Sequence, residues 1–227
     1  MKEPINIDCL QPYSQLYKAI LKHYPLGHMR YSDYFNRFYG IKLLENYINQ
    51  KVVNEGNLEK IWKKRIKVFI EKESGCNIDD AIFGFVPNYS GIISLKKEGN
   101  SSEFYQLQFF ISFIDNFFTI HIKNIQKDIT GKRNPGYGYF VKEMVVSPVD
   151  YFFGDLFCKV QSAINKTIEN AKFIPFSLYS KPIEGLSVLF SDEPNYPLGG
   201  AFFNIDIPST NPIKVIGDID YKLAELK

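Results

Sequence analysis

Between Tyr105 and Asn124 apolar and polar residues alternate, and the alternation folds back on itself about a short polar break. This is the pattern of two antiparallel strands. With Asp115-Asn116 as a two-residue turn, Phe113 pairs with Phe118, Ile111 with Ile120 and Phe109 with Ile122 on one oily face. The opposite, partly wet face pairs Ser112 with Thr119, Phe110 with His121 and Gln108 with Lys123. Asp and Asn tolerate the left-handed backbone that such a turn requires. A sheet with one apolar side must bury it against another element.

The chain supplies that element downstream. Phe153, Leu156, Phe157, Val160, Ile164 and Ile168 recur at helical spacing, and Lys159, Gln161, Asn165, Lys166 and Glu169 lie opposite them. Ser147, Pro148 and Asp150 suit the cap and first turn, so the spacing predicts a long amphipathic helix from Pro148 to about Ala171. Upstream, three helices are predicted. The first centres on Leu16, Ile20 and Leu21. The second runs from Ser32 to Val52 with Phe35, Phe38 and Tyr39 inward and Gly40 as its weak point. The third runs from Asn57 to Ser74 around Trp62, Ile66 and Ile70. Short apolar runs bounded by Pro, Gly and Asn predict further strands at Ile82–Val86, Ile92–Lys96, Tyr139–Val146, Leu186–Phe190 and Ala201–Ile207.

The fold class is therefore α+β: N-terminal helices followed by a mainly antiparallel sheet packed against a long amphipathic helix. Residues 1–75 form a helical region and 76–227 an α+β body. Gly75 to Asp80 is the boundary, unless the two share one core and form a continuous domain.

Composition narrows the function classes. The 227 residues include 45% hydrophobic side chains, enough for a sizeable core, and 20 Phe and 15 Tyr against one Trp favour sheets and half-wet surfaces. A net charge of +2 supplies no bulk attraction for nucleic acid or an anionic membrane. Cys9, Cys76 and Cys158 are widely spaced and odd in number, which argues against a disulfide framework or a thiolate zinc site and for free thiols in a reducing, cytoplasmic setting. No apolar run reaches membrane-spanning length, and Met1 to Leu10 has no secretory signal pattern.

No catalytic motif stands out. His23 and His28 flank Pro25 and Gly27 and cannot share a helical face as a zinc pair, so no metal or cofactor is expected. The longest candidate working loop is 127–139. Gly131, Pro135, Gly136 and Gly138 make it irregular, Lys132 and Arg133 carry charge, and Tyr137 and Tyr139 offer rings for a partner or ligand. A second long loop, 191–200, is acidic and carries Tyr196.

Three functions follow from these residues. The first is a non-enzymatic protein-binding protein, of the immunity, inhibitor or adaptor kind, acting through Lys132, Arg133, Tyr137, Tyr139 and Tyr196 on another protein. The second is an enzyme or small-molecule binder with a pocket between helix and sheet using His121 and Glu143, the latter an acid in an otherwise apolar strand. The third is a nucleic-acid binder using Lys60, Lys63, Lys64, Arg65 and Lys67 around Trp62. Neighbouring Glu59, Glu71 and Glu73 and the near-neutral chain make that surface an ordinary wet helix face instead.

Overall fold

The alternating segment forms the two central strands of the protein, β3 (Glu103–Ser112) and β4 (Phe117–Lys127). The computed structural model describes residues 4–52, 57–80, 86–96, 103–128, 138–149, 153–203, 214–219 and 221. The predicted strand at 82–86 lies outside these residues apart from Val86. Around the central pair, β1 (Asp79–Asp80), β2 (Asn88–Lys96), β5 (Tyr139–Val145) and β7 (Lys214–Ile216) complete a sheet ordered β1-β2-β3-β4-β5-β7. The β1 to β5 pairings are antiparallel, and β7 joins β5 in parallel. A short β6 (Lys172–Phe173) runs parallel to the start of β4.

The hairpin keeps the expected faces but not the expected register. Ile111 pairs with Phe118, Phe109 with Ile120 and Leu107 with Ile122, a shift of one pleat that leaves a four-residue loop at 113–116. Asp115 and Asn116 do adopt the left-handed backbone, with φ of 48° and 58°. The loop is longer because Ile114 turns into the core, while its amide donates to Ser112 Oγ at 3.0 Å and the Phe113 amide donates to Pro87 O at 2.9 Å.

The oily face is sealed as its pattern requires. Helix α6 (Gly154–Thr167) lays Phe157, Val160, Ala163 and Ile164 into a core with Phe109, Phe118, Ile120 and Ile122. Trp62, Ile66 and Ile70 join that core from a helical stretch made of α4 (Asn57–Ile61), a π-helical turn Trp62–Ile66 and α5 (Lys67–Ser74). Gly75, left-handed at φ 71°, ends it. The helix α6 begins later than the capping residues predict. Phe153 is its N-cap, Pro148 lies outside it, and the Ser147 hydroxyl accepts from the Asp218 amide at 2.7 Å.

The face expected to be partly wet is buried at Phe110, Ser112, Thr119 and His121, while Gln106, Gln108 and Lys123 stay partly exposed, so its burial extends further than the sequence reading required. Helices α1 (Ser14–His23), α2 (Asp33–Arg37) and α3 (Tyr39–Val52), with α7 (Phe176–Tyr179) and α8 (Leu198–Phe203), enclose a second core there around Phe110, Ile114 and Phe117. Its polar residues find distant backbone partners: Ser112 Oγ donates to Phe202 O at 2.7 Å and Asn88 Nδ2 to Phe203 O at 2.6 Å. These bonds make burial of Ser112 and Asn88 affordable. Ala201 to Phe203, read as strand, are helical because Gly199 and Gly200 let the rings of Tyr179 and Tyr196 lie directly on the backbone. Residues 186–190 form turns with a single bridge between Val188 and Ser191, not a strand.

The predicted second helix is two helices. Phe38 is extended (ψ 129°), so α2 stops and α3 restarts at Tyr39. Gly40 explains the break: a Cβ there would sit 2.3 Å from Lys22 O, so only glycine allows α3 to abut the end of α1.

Candidate protein-docking surface

The break between α2 and α3 exposes Tyr39, which helical periodicity counts as inward, beside an exposed run of aromatic residues that precedes it. Phe35 alone of this run is fully buried and pins α2 to the second core. Met29 is 72% exposed, Tyr31 66%, Tyr34 55% and Tyr39 75%. The His28 ring stacks on Tyr34 with centroids 4.1 Å apart, and Tyr34 continues onto Phe38 at 6.2 Å. The Arg30 guanidinium lies 4.4 Å from the Tyr31 ring centroid, a cation–π geometry.

Local backbone geometry fixes this surface. Gly27 (φ 76°) makes the turn after α1, and its amide donates to Gly185 O at 2.8 Å. Tyr31 holds φ at 71°, a region that costs a bulky side chain about 1–3 kcal/mol. Ser32 then caps α2, its Oγ accepting from the Phe35 amide at 3.2 Å. Arg30 Nη1 meets Asp192 Oδ1 at 3.0 Å, and the Gly185 amide donates to Asn195 Oδ1 at 2.7 Å. The acidic loop 191–200 is thereby fastened beside the aromatic segment. Tyr rings and the flexible Met29 side chain, edged by Arg30 and Asp192, thus form one exposed aromatic and polar patch.

The residues singled out from sequence are dispersed. Lys132, Arg133 and Tyr137 lie outside the described residues. Tyr139 opens β5, half-exposed, with its ring edge-on to Phe104 at 5.9 Å. Tyr196 is buried in the second core, its ring against Gly200. The basic run is exposed at Lys63, Lys64 and Arg65, with Lys63 Nζ 2.5 Å from Glu59 Oε1.

His121 and Glu143 lie on opposite faces of the sheet. Glu143 pairs across from Asn124, whose Nδ2 lies 3.1 Å from Glu143 Oε1, 2.7 Å from Glu103 Oε1 and 3.0 Å from the Tyr105 hydroxyl. Lys142 Nζ stands 3.4 Å from Glu103 Oε1. One amide thus splints two carboxylates at the α6 side. Burial, then the charges of Glu103 and Glu143, push the Tyr105 phenol above its ordinary pKa, against the Asn124 bond. His121 is buried on the other face, stacked on Phe110 at 5.5 Å and 3.2 Å from Gln108 Oε1 through Nε2. Burial, then the Lys123 charge, holds its pKa well below the ordinary value, so the ring is neutral.

Among the described residues no group of three or more His, Cys, Asp or Glu side chains is placed to hold a metal ion, and no helix is long and apolar enough to cross a membrane. The three cysteines are unpaired. No family model, no curated protein and no solved structure matches the chain.

The sequence did carry one signal for the aromatic surface. Tyr31, Tyr34, Phe35, Phe38 and Tyr39 are more rings than one helical face of that length can bury.

Proposed function

We propose that this protein is a non-enzymatic binding protein that docks a different protein chain through Met29, Arg30, Tyr31, Tyr34 and Tyr39. An inhibitor of the immunity type or an adaptor works in this way, and three unpaired thiols suit a reducing, cytoplasmic compartment. The observation carrying the reading is the exposure of four large side chains in one short segment, held by a left-handed tyrosine backbone. Tyr and Arg dominate interface energetics, and Met adapts to irregular pockets. The fitting partner offers an apolar concavity with a rim of mixed charge, complementary to the Arg30–Asp192 pair.

Photo-crosslinking from position 31 in the native host identifies the partner. Binding of the purified partner is then measured against the Tyr31→Ala/Tyr34→Ala variant. A loss of about 100-fold or more, with unchanged unfolding, is expected for two central aromatic anchors. Undiminished binding refutes the surface. A monodisperse dimer of the wild type that the double variant abolishes refutes the different-chain reading.

A further inference from the structure

The second face of the sheet carries a polar band that the docking surface does not use. Two rows cross it. Ser94, Gln106, Lys123 and Met144 lie side by side on β2, β3, β4 and β5, and Ile92, Gln108 and His121 form the next row. Neighbouring strands lie about 4.8 Å apart, so each row is a continuous line of contacts.

A directed hydrogen-bond chain joins the rows. Gln108 Nε2 donates to Gln106 Oε1 at 3.2 Å, which turns Gln108 Oε1 toward His121 Nε2. His121 therefore carries its proton on Nε2 and donates it. The chain ends at Gln106, whose amide nitrogen has no protein acceptor among the described residues. Beside it stands Lys123, half-buried, with no carboxylate paired to it among the described residues. Among the described residues, the acid on this face of the sheet nearest in strand order is Asp79, three strands from Lys123 and bonded to Ser94 Oγ at 3.2 Å. Burial alone lowers the Lys123 pKa to about 8, so the ammonium is still the main form at neutral pH and is poorly solvated. Met144 and His121 are buried while Ser94 is exposed, so the band opens toward the β2 side.

We propose that this shelf is a binding site for a small monocarboxylate, held by Lys123 Nζ and Gln106 Nε2. Two donors side by side match the two oxygens of a carboxylate. One lysine charge in a partly dry setting is neutralised by a monoanion, whereas a phosphate dianion leaves a net negative charge buried. Met144 offers an apolar contact to the remainder of the ligand.

The test is thermal unfolding of the full chain in sodium butyrate, sodium phosphate and sodium chloride at matched ionic strength. Butyrate is expected to raise the midpoint saturably, beyond chloride and phosphate. Lys123→Met is expected to abolish that response, and Gln106→Leu to weaken the apparent affinity by about tenfold. The Tyr31→Ala/Tyr34→Ala variant is expected to respond as the wild type does, so failure here and failure of the docking surface are separate results. The proposal is overturned by no butyrate response in the wild type, by a response that survives Lys123→Met, or by a larger response to phosphate.

Discussion

Replacing Lys123 with methionine removes a charge that the fold solvates badly. In the unfolded chain the amine titrates near 10.5; in the folded protein burial brings it to about 8. At about 1.4 kcal/mol per decade the difference has a ceiling of about 3.5 kcal/mol, and partial solvent access reduces it to about 2 kcal/mol. The direction follows from proton binding. Below pH 8 both states hold the proton and the cost of the buried charge is fully present. Between pH 8 and 10.5 the unfolded chain binds more proton than the folded one, so stability rises with pH, and above 10.5 the cost is gone. Methionine has nearly the same length and no proton to bind. Lys123→Met is therefore expected to be about 2 kcal/mol more stable than the wild type at pH 7, with the advantage shrinking steadily toward pH 10.5. Urea unfolding followed through Trp62, the single tryptophan, buried and stacked on Tyr89 at 5.4 Å, measures both curves. Tyrosine ionisation contributes alike to both proteins and cancels in the difference. A variant less stable at pH 7, or a difference that does not change with pH, refutes the argument.

Further perturbations test the packing. Phe157→Ala opens the core under α6 and is expected to cost about 3–5 kcal/mol in urea unfolding; a cost below 1 kcal/mol contradicts the sealed face. Gly40→Ala drives a methyl group into the Lys22 carbonyl and is expected to cost about 1–3 kcal/mol, seen as a lowered thermal midpoint. Ser112→Ala strands the Phe202 carbonyl and the Ile114 amide, with an expected loss of about 1–3 kcal/mol. The same substitution would be silent if that face were wet.

The parts of the fold governed by local periodicity were legible in the sequence. The stripe Phe157, Val160 and Ile164 faces the sheet as its spacing required, and both hairpin faces were assigned correctly. What failed depended on distant partners. The loop register moved because Ile114 enters a core built from helices far away in sequence. Ser112 read as part of a half-wet face because its acceptor, the carbonyl of Phe202, comes from the C-terminal part of the chain. Leu198 to Phe203 read as irregular and strand because the close packing of rings on Gly199 and Gly200 leaves no periodic trace. The exposure of Tyr39 was hidden for a related reason. Tyr39 counts as inward only if one helix runs through Phe38, and the contact of Gly40 with α1 prevents that. Glu143 was recognised as an acid out of place, but Asn124 and Glu103, which account for it, meet it only through strand pairing.

The two outermost strands of the sheet, β1 and β7, are two and three residues long. Such stubs expose too few main-chain amides and carbonyls to template an extra strand from another molecule. Edge-to-edge polymerisation on β1 and β7 themselves is thereby discouraged.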